Sequence, residues 1–266
     1  MSDATSADVF TKPQNTGYSE LAPRIDAAGL EAFRAVLKSR RSVRVYDGTA
    51  IPEAVVRECL DLALMAPNSS NLQATEFHWV RSSEKKQALV EACLGQPAAS
   101  TAAELFVCVA RTGTWRENAK HMVRSFHEAE KHGAKIPPSA WVYYKKLVPL
   151  VYTQGPFGVF GPIKKLVLTL AGFFRPTPRE PAGNADMRIW AVKSAALACE
   201  NFMLAFRAHG FDTCPMEGLD SARVRRILGL PRDAVVVMAI SAGKRAPNGI
   251  YGPQLRFDRK LFIKEV

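Results

Sequence analysis

The 266-residue sequence contains only five cysteines and five histidines, and neither type falls into a ligand motif. The cysteines (Cys59, Cys93, Cys108, Cys199 and Cys214) are widely spaced in apolar segments without a C-x-x-C pair, and the histidines lack any spacing like H-E-x-x-H. This pattern excludes a disulfide framework and predicts reduced thiols in a hydrophobic core. We therefore expect no protein-bound metal.

Long apolar runs are also missing from the sequence. No uninterrupted apolar stretch reaches the roughly 20 residues of a membrane-spanning helix, and the polar N-terminus lacks the apolar core of a secretory signal. We expect a cytoplasmic protein. Its length and its 47% of apolar residues are enough for one large domain or two small ones.

Carboxylates are absent from residues 131–179, although the whole chain has 25 of them. Eight basic residues in this segment supply +8 of the net charge of +11: Lys131, Lys135, Lys145, Lys146, Lys164, Lys165, Arg175 and Arg179. Proline, glycine and large apolar residues are frequent there too. This composition favours a membrane-surface element, a channel mouth for anionic substrates, or a solvated insertion. No nucleic-acid-binding motif accompanies the charge, so we expect no nucleic-acid partner.

Hydrophobic periodicity predicts few strands among many helices. Strands are predicted over 77–80, 105–110 and 234–243, and helices over 29–39, 52–66, 83–94, 116–131, 186–209 and 221–228. Such alternation is typical of α+β or α/β folds. The long apolar helix 186–209 is expected at the centre of the domain or at a subunit interface.

Four polar stretches at element boundaries are candidates for binding chemistry, and residues 40–46 form the first. Arg40, Ser42 and Arg44 alternate along a chain that we expect to be extended, so their side chains point to one side. Two guanidiniums and a hydroxyl suit a phosphate and a polarised ring carbonyl. The alternative is a solvated basic turn.

The second stretch, residues 66–73, follows a predicted helix end. Its small side chains allow a close approach to a planar ligand, and the amides of Asn71 and Gln73 offer hydrogen-bond donors and acceptors. The alternative is an ordinary Pro-Asn-Ser turn.

The third and fourth stretches follow predicted strands. Residues 214–220 place a carboxylate and a flexible glycine ahead of a helix capped by Asp220. Lys244 and Arg245 follow the last strand, and Arg256 comes eleven residues after Arg245. This basic cluster either holds an anion or faces water.

Together the stretches resemble the nitroreductase family of FMN-dependent oxidoreductases, over nearly the whole chain from about residue 29. The family patterns are Arg-x-Ser-x-Arg/Lys-x-aromatic, Ala-Pro-Ser-x-x-Asn-x-Gln and Pro-x-Glu-Gly-Phe-Asp. They are matched by Arg40, Ser42, Arg44 and Tyr46, by Ala66, Pro67, Asn71 and Gln73, and by Pro215, Glu217, Gly218 and Asp220. The sequence departs from these patterns at Asn68, where serine is usual, at Ala74 and Thr75, which replace Pro-Trp, and at Gln254, where some relatives have lysine.

The resemblance implies an α+β fold, a nitroreductase-like three-layer sandwich. In this fold a central mixed, mostly antiparallel sheet is flanked by helices, and two chains intertwine as a homodimer. Residues 29–266 would form a single FMN-binding domain after a polar arm at 1–28. A basic apolar insertion at about 132–182 falls where the family varies its substrate cover.

The resemblance also implies FMN at the dimer interface. Arg40 and Ser42 would bind the phosphate and ribityl chain, Arg44 the pyrimidine edge of the ring, and Glu217 would have a positioning role. No side chain is assigned as catalytic, because the chemistry takes place at flavin N5. Residues 67–71 would come from the other subunit. The full set of implied cofactor ligands is Arg40, Arg41, Ser42, Arg44, Pro67, Asn68, Ser69, Asn71, Gln96, Pro215, Met216, Glu217, Gly218, Lys244, Arg245 and Arg256.

The activity implied is that of an NAD(P)H-dependent flavin oxidoreductase. It would pass hydride from NADPH or NADH through flavin N5 to a small nitroaromatic or quinone acceptor by a ping-pong mechanism. Three specialised relatives stay open as alternatives: a reductive dehalogenase, a flavin-destroying enzyme and a reductase of lipid-soluble quinones. A non-catalytic flavin-binding redox sensor also stays open. Peripheral membrane contact is expected through residues 141–175.

Overall fold

The computed structural model describes residues 25–266, so nearly all of the polar arm predicted for 1–28 lies outside the described residues. The helices are α1 (Ala27–Ser39), α2 (Glu53–Leu64), α3 (Ser83–Ala92), α4 (Pro97–Ser100), α5 (Trp115–Lys131), α6 (Pro138–Val142), α7 (Val148–Tyr152), α8 (Phe160–Phe174), α9 (Asn184–Ala208) and α10 (Ser221–Leu228). The strands are β1 (Thr75–Trp79), β2 (Glu104–Arg111), β3 (Asp212–Met216) and β4 (Ala234–Gly243). Every helix and strand predicted by range is present, most with ends displaced by one or a few residues.

The four strands form one sheet in the order β1-β2-β4-β3, and all neighbours are antiparallel. The β2–β4 register shifts once, which leaves Val237 as the extra residue of a bulge. On the free edge of β3, Ser42 makes a parallel bridge to Thr213. The predicted antiparallel character of the sheet is thus confirmed. Its parallel part is this single bridge, which fixes the chain after α1 beside β3.

The sheet is the middle of three layers. Alternate residues of β2 point to opposite faces, as in any strand. Phe106 and Cys108 pack in the core with α2 and α9, whereas Leu105 and Val107 pack in the core that holds Leu89 of α3 and residues of α10. The predicted three-layer sandwich is confirmed.

The 25-residue helix α9 lies at the centre of the domain, as predicted. Its Phe202 ring lies 4.9 Å from the Phe106 ring of β2, centroid to centroid, and 4.9 Å from the Phe206 ring one turn further on. Within residues 25–266 it is the one helix long and apolar enough to cross a membrane, and 56% of its most apolar window is buried inside the domain. Its packing against the sheet is that of a core helix.

All five cysteines are free thiols and all are buried, as the sequence predicts. Burial raises the pKa of Cys59 to about 12 and that of Cys93 to about 11. Because the thiolate is the reactive form, we expect less than one thiol per native chain to react quickly with a disulfide reagent at pH 8, and all five after unfolding. Absorbance of the released thiolate measures both counts. Fast reaction of two or more native thiols would contradict this packing.

Candidate functional site

The segment after α1 is fixed on both sides. Val43 donates its backbone N–H to the Thr213 carbonyl at 3.1 Å, and Arg44 donates its own to the Gly249 carbonyl at 2.7 Å. Tyr46 anchors the end of the segment, because its buried hydroxyl lies 2.9 Å from Ser241 Oγ. Desolvation raises the pKa of this phenol far above its usual value, so it stays protonated. The extended geometry expected for 40–46 is therefore present.

Three arginines of this segment have no carboxylate partner among residues 25–266. Arg41 donates to the Gly252 carbonyl, and the Arg44 guanidinium lies 5.7 Å from the centre of the Tyr251 ring. Burial raises the pKa of the Cys214 thiol on β3, while the positive charges of Arg44 and Arg40 oppose that shift. Both guanidiniums thus lie near β3, and unpaired arginines of this kind suit a phosphate or another oxyanion.

The turn that follows β3 lies in the same region. Gln96, at the start of α4, donates its side-chain amide to the Gly218 carbonyl at 2.8 Å and to the Cys93 carbonyl at 2.9 Å. A methyl group built on Gly218 would meet only Gln96 Nε2, at 3.8 Å. Glu217 and Gly218 are exposed, so this turn presents backbone to an open space.

Pro215 and Met216 lie at the end of β3 and approach the turn from the sheet. The Met216 side chain is buried in the core layer that also holds Val224, so its backbone is the part available to a ligand. The structure therefore brings together the predicted residues of 40–44, Gln96 and 215–218 around one edge strand.

Arg245 belongs to a buried ion-pair cluster behind this edge. Its guanidinium donates two hydrogen bonds to Asp212, at 3.0 and 2.6 Å, which raise the pKa of Arg245. Asp212 also accepts a 3.0 Å hydrogen bond from Arg207, which in turn donates to Ser39 Oγ at 3.0 Å. Sequence reasoning missed Asp212 and Arg207, because a strand residue and a helix residue 5 positions apart carry no motif. The cluster fixes the end of α1 directly before Arg40.

Lys244 and Arg256 are exposed, and their assignment as cofactor ligands stays a prediction, as it does for Arg245. The Lys244 carbonyl accepts a 3.0 Å hydrogen bond from the Asp47 N–H. Arg256 donates to the carbonyl of its own neighbour, Leu255, at 2.8 Å. Among residues 25–266 the Arg256 guanidinium has no other hydrogen-bond partner.

The loop at 67–71 lies elsewhere, against α9 and the insertion. Asn68 Oδ1 accepts a 2.7 Å hydrogen bond from the Gln73 N–H, and Ser69 donates its N–H to Ser194 Oγ of α9 at 3.4 Å. Pro67 and Asn71 are exposed. A contribution of this loop to the site of another subunit, which the resemblance implies, stays a prediction.

Ser70 ties this loop to the insertion. Its backbone is left-handed, with φ 60°, and its Oγ lies 2.5 Å from the Tyr143 hydroxyl and 2.9 Å from the Tyr152 hydroxyl. The Tyr144 hydroxyl donates to the Ser70 carbonyl at 2.8 Å. Three tyrosines from the segment 143–152 therefore converge on one loop residue. No spacing in the sequence indicates this contact.

Replacing Ser70 by alanine is expected to loosen the insertion from the loop. The change removes two hydrogen bonds between partly buried hydroxyls and leaves the tyrosine hydroxyls with one partner fewer, which costs about 1–3 kcal/mol. Faster amide exchange over 138–152, measured by mass spectrometry, is the expected result. Ser100→Ala, an exposed serine at the end of α4, is the control. Unchanged exchange in the Ser70 variant would contradict the tethering role.

A cavity of about 660 Å³ opens beside this cluster. Its wall includes Trp115, Arg116, Tyr152, Gln154, Phe160 and Met187. The Gln154 side-chain oxygen is buried without a hydrogen-bond partner in the described part of the chain, and the Arg116 guanidinium lies 4.8 Å from the Trp115 ring centre. Aromatic walls with an amide and a cation suit a flat ring that carries polar substituents.

Comparison with known proteins shows what this chain is similar to. A model described as "Nitroreductase family" matches residues 37–244. The chain is 27% identical over 230 residues to an NADH dehydrogenase of Thermus thermophilus, covering 86% of this chain and 94% of that protein. It is 28% identical over 225 residues to a 4-nitrobenzoate reductase of a Nocardioides species, covering 83% of each.

A solved structure from Exiguobacterium sibiricum has the same fold. That protein is assigned as a nitroreductase and was crystallised in complex with FMN. It superimposes with a TM-score of 0.64 at 22% identity, covering 88% of this chain and 97% of that chain. At this identity the likeness establishes the fold alone.

Proposed function

The chain belongs to the nitroreductase family, and from this premise we propose that it is an NAD(P)H-dependent oxidoreductase with FMN as its cofactor. One observation in this structure carries the proposal. Arg40, Ser42 and Arg44 lie beside the same edge strand that leads into the exposed Glu217–Gly218 turn, and Gln96 is bonded to that turn. These groups come from three distant parts of the sequence and have the chemistry that a flavin mononucleotide needs.

The donor set fits FMN. Arg40 and Ser42 would hold the phosphate and ribityl chain, since a guanidinium and a hydroxyl both donate to phosphate oxygens. Arg44 would hold the pyrimidine edge of the ring, with Gln96 beside it. Pro215 to Gly218 would lie against the ring, because the turn has no side chain that would obstruct a flat group at Gly218.

Bound FMN would supply two-electron chemistry, taking hydride from NADPH or NADH and giving it to an acceptor. The positive charge of Arg44 would stabilise negative charge at the pyrimidine edge without rearrangement, because the backbone around it is already fixed by Gly249. A backbone N–H at Glu217 or Gly218 would donate to the reacting edge of the ring. The Glu217 carboxylate is exposed and would position groups near the ring, not abstract a proton.

A homodimer would complete the site. Helix α1 has no buried residue, and its Leu30, Phe33 and Leu37 side chains are 44%, 54% and 42% exposed along one face. An apolar helix face that residues 25–266 leave uncovered suits contact with a second chain. The loop at 67–71 is held away from Arg40–Arg44 within its own chain, which supports its use by a partner subunit.

The test is to purify the full chain, load it with FMN and measure its mass and turnover. We expect a yellow dimer that oxidises NADH or NADPH when given 4-nitrobenzoate or a water-soluble quinone. A colourless protein that takes up no FMN would overturn the proposal. Flavin reduction without reoxidation by any acceptor would instead indicate a redox sensor.

A second candidate function, reduction of a lipid-soluble quinone, is favoured by the cavity. Phe160 lines the cavity and is also the first residue of α8, whose outer face is apolar. In a dimer, the loop at 67–71 would bring this cavity to the flavin of the partner subunit. A quinone ring would then fit between the aromatic walls, and an isoprenoid tail would leave along α8. The measurement is kcat/KM for quinones of increasing tail length. A value that rises with tail length supports this candidate, and a falling one excludes it.

A further inference from the structure

Helix α8 carries an apolar stripe that no part of the described chain covers. Six large residues of the helix after Phe160 lie on one side: Ile163, Leu166, Val167, Leu170, Phe173 and Phe174, with exposed fractions from 52% to 90%. At 100° per residue, these positions and Phe160 fall within an arc of about 140°. Gly161 is the one buried residue of the helix. Exposed stripes of this size mark interaction surfaces.

The opposite side of α8 is anchored to the domain, and these contacts hold the stripe on the outside. Gly161 packs so tightly that a methyl group on it would lie 3.2 Å from Gly183 Cα. Lys164 donates to the Val151 carbonyl at 2.7 Å and also to that of Thr153. Arg179 donates to the Leu168 carbonyl at 2.9 Å and lies across Gly172. Rotation of the helix to bury its stripe would break these contacts.

The segment that contains the stripe is basic. Lys165 and Arg175 are exposed on and directly after α8, and the run 131–179 has eight cations and no carboxylate. The Asp186 carboxylate accepts hydrogen bonds from the N–H groups of Gly183 and Ala182 at the start of α9, and these bonds lower its pKa. The positive charge of Lys165 lowers the pKa of Asp186 further. The segment that carries the stripe therefore attracts anions through its net positive charge.

From this combination we propose that α8 docks on the surface of an anionic lipid bilayer, with its axis in the membrane plane. Its 15 residues span about 22 Å, which is less than the roughly 30 Å of a bilayer core, so the helix lies on the membrane and does not cross it. An apolar face on one side of a helix, with lysine on the other side and a basic segment around it, is the composition of such interfacial helices. A second copy of the chain fits less well, because two α8 surfaces would bring like charges together.

Docking through α8 would bring the cavity to the membrane, because Phe160 belongs to both. The docking itself does not depend on flavin chemistry. Its test therefore measures binding and not turnover, so failure of the docking proposal and failure of the proposed function can be told apart.

The experiment is sedimentation of the full chain with vesicles of phosphatidylcholine alone or mixed 3:1 with phosphatidylglycerol. We expect binding to the anionic vesicles at low salt and weaker binding at high salt, because the charge attraction is screened. Leu166→Glu with Leu170→Glu is expected to lower the partition coefficient about tenfold or more, since it puts two charges on the buried face. Lys165→Glu with Arg175→Glu is expected to act through charge and to have a similar effect.

Leu94→Glu is the matched control, because Leu94 is 70% exposed and lies outside the insertion. It should bind vesicles as the unmodified chain does, and melting curves show whether each variant is folded. Absence of binding to anionic vesicles at low salt would overturn the proposal. So would equal binding by the folded Leu166→Glu, Leu170→Glu variant, or a change in its oligomeric mass, which would identify the stripe as a protein interface.

Discussion

Replacing Asp212 by alanine is expected to lower the free energy of unfolding by about 3 kcal/mol, the low end of the range for breaking a buried ion pair. The Asp212 side chain is only 4% exposed, and it accepts hydrogen bonds from both Arg207 and Arg245. The variant leaves two positive charges side by side without their shared carboxylate. The low end applies because the two arginine side chains are 25% and 33% exposed, so water still solvates part of each guanidinium when the carboxylate is removed.

Urea unfolding followed by circular dichroism measures this effect. Glu117→Gln is the matched control, because it also removes a carboxylate paired with a basic residue, Lys120, but both side chains are more than 60% exposed. Exposed pairs of this type contribute little, so the control should unfold like the unmodified chain. If both variants unfolded at the same urea concentration, the buried cluster would have no special role in stability.

The Asp212 cluster also connects stability with the candidate site. Arg207 donates to Ser39, and Arg40 is the next residue. Loss of Asp212 therefore frees the end of α1 as well as β3. This is a link that the sequence does not reveal, because it depends on which strand becomes the sheet edge.

Regular elements were predictable where local signals and burial agree. Strand β4 and helix α10 have the predicted ends, 234–243 and 221–228. In β4 a run of buried small and β-branched residues leaves no helical period, and α10 begins at the Asp220 cap and ends at a left-handed Gly229.

The composition of residues 132–182 identifies this segment as an insertion, but it does not predict where its helices lie. Prolines and glycines interrupt its apolar runs, and they suggest turns. Pro138 and Pro162 instead occupy the first turns of α6 and α8, where proline is tolerated because the N–H it lacks would have no helical partner. Pro149 is the second residue of α7, directly after a π-helix at Tyr143–Leu147. The pattern that matters in α8 is its outward stripe, and no sequence period shows which side of a helix the domain will cover.

The candidate site also has a part that the sequence predicts and a part that it does not. The residue types at 40–44 and 215–218 carry short motifs, and the sheet edge brings both segments together. The contacts of Ser70 with three tyrosines 73 to 82 residues away depend on how the insertion folds back. Local motifs thus predict which groups are present, whereas tertiary packing decides which of them meet in one chain.

Replacing Arg40 and Arg44 together by alanine is expected to weaken FMN binding by at least about a hundredfold. Neither side chain has a carboxylate partner in residues 25–266, and both charges act on Cys214 of β3. A hydrogen bond to a charged group contributes about 1.5–3 kcal/mol, so two lost contacts correspond to a hundredfold or more. Quenching of FMN fluorescence on titration with the protein measures the dissociation constant.

Arg81→Ala tests whether the effect depends on place and not only on charge. Arg81 is 59% exposed, pairs with Glu53 and lies 4.7 Å from the ring centre of Trp79. Trp79 is the last residue of β1, at the opposite edge of the sheet from β3. Its loss removes one positive charge and should leave the dissociation constant within about twofold, because exposed charges at this distance are screened by salt. Equal weakening by Arg81→Ala would mean that net charge alone attracts the cofactor. Unchanged affinity in the folded Arg40→Ala, Arg44→Ala variant would mean that these two guanidiniums do not hold the flavin phosphate and ring edge.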